Sequence, residues 1–149
     1  MHRLLLVEDS EDDVVLLKRA LKRYPEIGLV GSAEDGDIAI GYLSGSGEYA
    51  DRAKHPLPDL MILDLKMPRR NGLEVLEWMR DLKPRPRVAV FTASEFDRDK
   101  EQAMKLGTDL YQTKACDPDS FDRLAHWISC MCAVDRKRQT RLAAGQAAQ

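Results

Sequence analysis

The sequence predicts an α/β fold built on a parallel sheet, and three observations lead to this prediction. Five short apolar runs recur along the 149 residues. These runs are continuous rather than alternating, which is typical of strands that are buried on both faces. Longer stretches with the apolar spacing of helices separate the runs, and strands that alternate with helices favour an open, doubly wound parallel sheet. The chain length fits a single domain of this kind.

The predicted strands are short, and each is followed by a helical pattern. In chain order they cover residues 4–7, 29–33, 60–63, 88–91 and 110–113. The first helix is predicted after Ser10, which forms a capping-box pattern with Asp13. The second helix is predicted after Asp35, because aspartate is a favoured N-cap residue.

The last three helices have end signals of the same kinds. The third is predicted over Gly72 to Leu82, where a proline follows shortly after. The fourth covers Glu95 to Leu106, with Gly107 as a C-terminal cap. The fifth begins near Asp117 and turns an apolar stripe inward, which consists of Phe121, Leu124, Ala125, Ile128 and Cys132.

Two segments lie outside the alternating pattern. Residues 44–56 are rich in Gly, Ser and polar residues, and we expect a loop there, with His55 on the surface. Residues 133–149 carry four Lys or Arg and one Asp, and they form a basic tail that is either a helical extension or disordered. We therefore predict a folded domain over residues 1–132, followed by this tail.

Charge and composition exclude several classes of protein. The formal net charge of −2 argues against a nucleic-acid binder. The first apolar run is too short for a signal peptide, and no run approaches the roughly 20 apolar residues of a membrane span, so we expect a cytoplasmic protein. Three cysteines, Cys116, Cys130 and Cys132, indicate a reducing compartment. Because no His–Cys pair is expected near Cys130 and Cys132, we predict no zinc site there.

Polar side chains follow four of the predicted strands, at the point where each strand ends. Glu8 and Asp9 follow the first strand, Asp64 the third, Thr92 the fourth and Lys114 the fifth. Ligands of open parallel sheets bind outside the carboxyl ends of the strands. If these strands are neighbours in the sheet, the five residues converge on one cleft.

The residue types at these positions indicate phosphoryl chemistry with a metal ion. Three carboxylates in a small volume repel one another unless a cation or a proton shares the site. Their hard oxygen ligands suit Mg²⁺. A carboxylate such as Asp64 can attack phosphorus and form an acyl phosphate, while Lys114 pairs with a phosphoryl oxygen. Each residue alone has an ordinary structural role as a helix cap or solvated strand end, but their joint placement favours a site.

With those residues in place, the chain resembles the receiver domain of bacterial two-component response regulators. The resemblance covers residues 3–132, and its signals are "LLLVEDS", "LMILDLKMPRRNGLEVL", "VAVFTAS" and "LYQTKA". It implies five parallel strands in the order 2-1-3-4-5. It also implies a switch that is phosphorylated by a sensor histidine kinase and is not itself an enzyme with a separate substrate.

The resemblance also implies a role for each site residue. Asp64 would be the phosphoacceptor. Mg²⁺ would be held by Asp9 and Asp64, by Glu8 through water and by the main-chain carbonyl of Lys66. Lys114 would bind the phosphoryl group. Thr92 would be the switch hydroxyl, and Tyr111 would be the aromatic residue whose position is coupled to it.

Three features of the chain set it apart within this resemblance. Ala115 stands where the family usually has a proline, often in a cis bond, which leaves the Lys114–Ala115 bond open because a cis bond before a non-proline residue costs about 2.5–4 kcal/mol. Together with the insertion at 44–56 and the tail, this resembles regulators that serve phytochrome-type photoreceptor kinases, so a bacteriophytochrome is the expected kinase. No DNA-binding domain is expected after the receiver. Output would be by protein contact.

A second apolar stripe on the fifth helix predicts a homodimer. It is formed by Trp127, Met131 and Val134, and it is offset from the stripe that faces the core. The alternative is that these residues are scattered exposed apolar side chains.

Two other functions remain open at this point. One is a phosphohydrolase of the same fold class with Asp64 as nucleophile, although Lys66 stands where such an enzyme places a general acid. The other is a receiver-like adaptor that is never phosphorylated.

Overall fold

The computed structural model describes residues 1–115 and 117–147. Cys116, one of the three cysteines on which the compartment argument depends, lies outside these residues. The described chain folds into five strands and five helices in strict alternation. Their bounds are β1 His2–Val7, α1 Glu11–Leu21, β2 Ile27–Ala33, α2 Gly36–Ser44, β3 Leu60–Leu63, α3 Gly72–Trp78, β4 Arg87–Thr92, α4 Asp97–Lys105, β5 Leu110–Thr113 and α5 Asp119–Ala147.

All strand pairings in the sheet are parallel, and the strand order is β2-β1-β3-β4-β5. This confirms the α/β fold class and the order that the resemblance implied. Strands β3 and β5 have the predicted bounds, while β1, β2 and β4 begin one or two residues earlier. Two short 3₁₀ turns, Gly47–Ala50 and Met79–Asp81, add to these elements.

The continuous apolar runs are explained by two hydrophobic cores, one on each face of the sheet. Leu5 and Val7 of β1 face one core, which also receives side chains from α2 and α3. Leu4 and Leu6 face the other core, which is covered by α1 and α5. Because successive side chains of a strand point to opposite faces, a strand between two cores needs apolar residues at every position.

The first helix begins as predicted, but its capping box is incomplete. The Ser10 side chain accepts a hydrogen bond from the Asp13 N–H at 3.3 Å. The Asp13 carboxylate does not return a bond to the cap and instead contacts Lys114. A full capping box occurs at α3, between Asn71 and Glu74.

The insertion at residues 44–56 is more ordered than a plain loop. It contains the 3₁₀ turn, and its Arg52 guanidinium donates hydrogen bonds to the carbonyls of Tyr42, Leu43 and His55 at 2.8–3.2 Å. Tyr42 and Leu43 lie at the end of α2, where a helix leaves its last carbonyls without intrahelical partners. Arg52 pairs with the Leu43 carbonyl and adds a second donor to the Tyr42 carbonyl, which also accepts from the Gly45 N–H. His55, predicted on the surface, is only partly exposed there, because it packs edge-on against the rings of Tyr42 and Tyr49.

Helix α5 continues through the basic tail to Ala147, which corresponds to the helical alternative for this segment. The residues that pack on the core end at Cys132, and Asp135 then forms an ion pair with Arg87 of β4 at 2.7 Å. From residue 136 to 146 every described side chain is exposed. The boundary at residue 132 stays a prediction.

The expectation that no histidine lies beside the cysteines of α5 was wrong. His126 and Cys130 are four residues apart, so one helical turn places them on the same face. Their Nε2 and Sγ atoms are 3.7 Å apart. Among the described residues, no helix is long and apolar enough to cross a membrane.

Candidate functional site

The structure brings the predicted polar residues to one edge of the sheet. Glu8 and Asp9 follow β1, Asp64 follows β3, Thr92 is the last residue of β4, and Lys114 follows β5. These four strands are neighbours and run in parallel, so their carboxyl ends meet at the same edge. The Lys114 N–H also donates to the Thr92 carbonyl at 2.7 Å, which fixes the ends of β4 and β5 together.

Three carboxylates form the centre of this edge. One oxygen from each of Glu8, Asp9 and Asp64 lies within 4.8 Å of the other two. Glu8 and Asp64 are buried, whereas Asp9 is exposed. A shallow cleft of about 390 Å³ opens beside Asp9 and is also lined by Lys66 and Asp99. The cluster can therefore be reached from solvent on the Asp9 side.

Lys114 closes the cluster from the other side. Its Nζ atom lies 3.0 Å from Glu8 Oε2, 2.8 Å from Asp13 Oδ2 and 3.2 Å from Asp64 Oδ2. It also lies 5.6 Å from the centre of the buried Phe91 ring. A single ammonium group thus holds together carboxylates that come from two loops and a helix.

Asp13 is a member of the site that the sequence argument missed. Its sequence position three residues after Ser10 favoured a cap, and nothing nearby in the sequence indicates a partner 101 residues away. The available signal was topological, because α1 starts at the same edge at which β1 ends. An acid in the first turn of that helix therefore lies close to Asp64.

Burial and the charges of the cluster shift the pKa values of Glu8 and Lys114. Burial, followed by the negative charge of Asp64, raises the pKa of the Glu8 carboxyl to about 7. Burial alone would lower the pKa of Lys114, but Asp13, Asp64 and Glu8 outweigh it and hold that pKa above its ordinary value. Lys114 is therefore charged at neutral pH, while the Glu8 carboxyl is partly protonated there.

The donor set fits a small, hard divalent cation. Mg²⁺ takes oxygen ligands at about 2.0–2.1 Å, so opposite ligands of its octahedral shell are roughly 4 Å apart. The mutual distances of the three carboxylate oxygens, all within 4.8 Å, are close to that spacing. The excess negative charge around Lys114 provides the electrostatic reason to bind a cation.

Thr92, Ser94 and Asp99 form a second part of the site, at the loop from β4 to α4. Thr92 is fully buried, and its Oγ1 accepts a hydrogen bond from the Ser94 N–H at 3.3 Å. The Ser94 hydroxyl donates to Asp99 Oδ2 at 2.5 Å. Asp99 lies in the first turn of α4 and was not found from the sequence. The loop from β4 to α4 is therefore fixed at the threonine that the resemblance assigns as a switch.

Tyr111 lies on β5 with its ring against the core that faces α3 and α4. Its hydroxyl is buried and has no hydrogen-bond partner among the described residues. Burial, together with the charges of Asp99 and Asp64, raises the pKa of this phenol. An unpaired buried hydroxyl is unfavourable, so this position of the ring is held by packing and by the Lys100 ammonium, which lies 5.9 Å from the ring centre.

Two further predictions concern Lys66 and the peptide bond between Lys114 and Ala115. The Lys66 N–H donates to Asp64 Oδ1 at 3.1 Å, while its exposed side chain lies over the Phe96 ring. The Lys114–Ala115 bond is not among the cis peptide bonds of the described residues. Lys114 therefore contacts the carboxylates without a cis bond between Lys114 and Ala115.

The predicted stripe on α5 lies away from this edge and is mixed in exposure. Trp127 is 52% exposed and Val134 is 62% exposed, whereas Met131 is half-buried against the core beneath α5. Leu142 in the helical extension is also exposed.

Comparison with known proteins agrees with the topology of the sheet. The model of the response regulator receiver domain matches residues 4–125. The chain belongs to this family. Phosphorylation and Mg²⁺ are general for response regulator receivers, so the carboxylate cluster has the composition that the family uses.

Two curated relatives illustrate the range of lengths in which this receiver occurs. The nitrate/nitrite response regulator NarL of Escherichia coli is 32% identical over 123 residues, which cover 83% of this chain and 52% of NarL. The chain thus spans about half the length of that regulator. The response regulator Rcp1 of Synechocystis is 36% identical over 115 residues, which cover 75% of this chain and 76% of Rcp1.

Solved structures with the same fold include several regulators named for phytochromes. The phosphorylated cyanobacterial phytochrome response regulator RcpA has a TM-score of 0.77 at 30% identity, covering 86% of this chain and 91% of RcpA. Mn²⁺-bound Rcp1 gives the same values. The bacteriophytochrome response regulator AtBRR has a TM-score of 0.66 at 31% identity, covering 83% of this chain and 89% of AtBRR.

The ammonium of Lys114 is predicted to stabilise the fold. In Lys114→Met the buried carboxylates of Glu8 and Asp64 lose their shared counter-charge, and we expect a loss of about 3 kcal/mol in the free energy of unfolding. Urea denaturation without divalent cations measures this loss. Lys18→Met, which removes an exposed lysine from α1, is the control, and equal stability of the two variants would contradict the prediction.

Removal of the Tyr111 hydroxyl is predicted to stabilise the fold, in contrast to the loss of the Lys114 ammonium. Tyr111→Phe removes a buried polar group that has no partner among the described residues, so we expect the free energy of unfolding to rise by about 1 kcal/mol. Tyr42→Phe is the matched control, because the Tyr42 hydroxyl donates to the Pro56 carbonyl at 2.9 Å and its loss should destabilise the protein. A similar destabilisation in both variants would show that the Tyr111 hydroxyl is paired in solution.

Proposed function

We propose that this receiver is a signalling switch that accepts a phosphoryl group on Asp64 from a phosphohistidine of a sensor kinase. The observation that carries the proposal is the meeting of Glu8, Asp9 and Asp64 around the ammonium of Lys114. This arrangement combines a nucleophilic carboxylate, ligands for a cation and a fixed positive charge within one small volume.

The transfer follows from the contacts of Asp64. One carboxylate oxygen accepts from the Lys66 N–H and the other faces Lys114. In the transfer, a carboxylate oxygen forms a bond to phosphorus while the bond from phosphorus to the histidine nitrogen breaks, and the electron pair leaves with the imidazole. Lys114 would then pair with a phosphoryl oxygen instead of the free carboxylate.

We assign the cation of this site as Mg²⁺. It would be held by Asp9, Asp64, the Lys66 carbonyl and, through water, Glu8. When bound, it supplies positive charge to the phosphoryl oxygens during transfer. The support from this chain is the oxygen donor set and its residual negative charge. The similar regulator Rcp1 has been solved in a Mn²⁺-bound form, which supports a divalent cation here as well.

The signal would pass from Asp64 to the surface through Thr92 and Tyr111. A phosphoryl group on Asp64 offers acceptor oxygens to the Thr92 hydroxyl, which at present accepts from the Ser94 N–H. Movement of Thr92 changes the space available to Tyr111, whose ring is held without a hydrogen bond of its own hydroxyl in the described residues. The face formed by α4, β5 and α5 would change with it and alter the affinity for a partner protein.

We infer a phytochrome-type sensor kinase as the phosphoryl donor. Several similar structures are response regulators of cyanobacterial phytochromes or bacteriophytochromes, and the similarity to this chain covers most of their length. The alternatives are less well supported. A hydrolase needs a second acid where Lys66 stands, and an adaptor without phosphorylation gains nothing from a repulsive carboxylate cluster.

Phosphorylation is tested by intact-mass spectrometry with acetyl phosphate and Mg²⁺. We expect one added phosphoryl group on the wild-type protein, and none on Asp64→Asn or after Mg²⁺ is removed with a chelator. An undiminished adduct on Asp64→Asn, or no adduct on the wild type, rules out Asp64 as the phosphoacceptor. Transfer from autophosphorylated histidine kinases, with a bacteriophytochrome among them, then tests the donor.

We also propose that the receiver forms a homodimer through the exposed face of α5. The support is the exposure of Trp127 and Val134 on a helix that extends well past the core. Large exposed apolar side chains on one helix face are typical of an interface. Met131 contributes less than the sequence suggested, because it is half-buried against its own core.

The dimer is tested by analytical ultracentrifugation of the wild type and Trp127→Glu. A charge at the centre of an apolar interface is strongly unfavourable, so we expect the variant to sediment as a monomer. Phe96→Glu is the control, because Phe96 is similarly exposed but lies in the loop before α4. A monomeric wild type, or a dimeric Trp127→Glu, overturns the proposed interface.

A further inference from the structure

The loop between β3 and α3, residues 64–71, carries two of the proposed metal ligands and is anchored to a distant helix. Beyond the ligand positions, Arg69 donates from its Nε atom to Asp35 Oδ2 at 2.6 Å, and a second nitrogen of the same guanidinium contacts the same oxygen. Asp35 is the residue before α2 and is only 1% exposed. The ion pair therefore connects the loop to a buried point of the protein.

The backbone of Arg69 shows that this part of the loop needs to be held. Its φ angle is +62°, in the left-handed region that non-glycine residues rarely adopt. Such a conformation persists only where surrounding interactions favour it. The Asp35–Arg69 pair is such an interaction, and it acts on the strained residue itself.

Close backbone contacts fix the loop at both ends. The Gly36 N–H at the start of α2 donates to the Arg70 carbonyl at 3.0 Å, and a Cβ atom on Gly36 would overlap that carbonyl. At the end of the loop, the Gly72 N–H donates to the Leu65 carbonyl at 3.0 Å. A Cβ atom on Gly72 would overlap the Asp64 carbonyl.

Asp35 is itself fixed by a second bond. Its Oδ1 accepts from the Ile38 N–H at 2.8 Å and so caps α2. Burial would raise the pKa of Asp35, but the Ile38 N–H and the Arg69 guanidinium outweigh it and lower that pKa. The carboxylate is charged at neutral pH and cannot follow Arg69 without giving up the cap.

We propose that the Asp35–Arg69 pair is a clamp that holds the β3–α3 loop in the shape required to bind the divalent cation. Neither residue touches the cluster of Glu8, Asp9 and Asp64, so both are positioning residues. The clamp acts on the direction of the Lys66 carbonyl and on the backbone that follows Asp64. This inference rests on the proposed function, since it assigns a role toward the Mg²⁺ of that site.

The test compares two variants that break the clamp from opposite sides. Asp35→Asn keeps a good N-cap but removes the charge that Arg69 needs. Arg69→Gly removes the guanidinium and can adopt the positive φ angle without strain, but glycine is not confined to that angle, so nothing then holds position 69 in this conformation. We expect both to raise the Mg²⁺ dissociation constant, measured by isothermal titration calorimetry, by about three- to tenfold. This is below the roughly 10- to 100-fold effect of losing a direct partner of a metal ligand, because neither residue contacts a ligand side chain.

Long-range charge cannot explain a weakening in both variants. Asp35→Asn removes a negative charge, which disfavours a cation, whereas Arg69→Gly removes a positive charge, which favours one. A shared loss of affinity therefore requires a change in loop position. If the two residues act as one clamp, the double variant binds Mg²⁺ no more weakly than the weaker single variant.

Arg70→Ala is the matched control. Arg70 is the next residue of the loop. Its Nε atom lies 2.9 Å from the carboxylate of Asp37 in α2, the helix that Asp35 caps. Both side chains are about half exposed, at 49% and 51%, and such surface pairs contribute little. We expect its Mg²⁺ dissociation constant to stay within about twofold of the wild type. An equal loss in Arg70→Ala would overturn the clamp.

Folding and binding are separated by measuring affinity where circular dichroism shows every variant to be fully folded. Arg69→Gly is decisive, because it relieves strain and should bind Mg²⁺ weakly without a matching loss of stability. If Arg69→Gly binds Mg²⁺ like the wild type while Asp9→Asn does not bind, the clamp is wrong and the proposed site stands. If the wild type itself does not bind Mg²⁺, the proposed function fails first.

Discussion

The repulsion between carboxylates at the end of the sheet is the constraint on which the site depends. Glu8, Asp13 and Asp64 share the single ammonium of Lys114, and Asp9 adds a further charge on the solvent side. One cation cannot neutralise this set, and burial together with the negative charge of Asp64 raises the pKa of Glu8. In the unphosphorylated receiver the negative charge of these carboxylates is therefore only partly neutralised. This favours the binding of a divalent cation and of a group that can pair with Lys114.

The rest of the fold provides the rigidity that such a cluster requires. Strands β1 and β3 are packed between two apolar cores, so the acids that follow them cannot move apart to relieve their repulsion. The loops are fixed in part by polar side-chain contacts: Asp35 with Arg69 for the loop after β3, and Ser94 with Asp99 for the loop after β4. The loop after β3 also buries Leu65 and Met67 in the core beneath α2 and α3. The rigid strands thus keep the repelling carboxylates close together. The polar contacts in the loops determine which part of the site can move to reduce this repulsion.

Local patterns succeeded where one physical effect dominated a segment. The strands were found because burial on both faces demands continuous apolar runs, and β3 and β5 have the predicted ends. The same local reasoning failed for Asp13, whose role depends on Lys114 far along the chain, and for Arg52, which folds the insertion back onto the end of α2. The contact of His126 with Cys130 was also missed, although their spacing of four on the predicted fifth helix was a local signal for it.

The sequence by itself determined the fold class, the strands and the identity of the acids, hydroxyl and lysine that follow them, because burial and chain direction act locally. The family resemblance added the strand order and the roles of these residues. Only the tertiary structure decided which oxygens meet the Lys114 ammonium, that Tyr111 buries a hydroxyl without a partner among the described residues, and that Arg69 is tied to Asp35. These contacts join residues from separate elements, and their distances follow from how the strands and helices pack rather than from any local pattern.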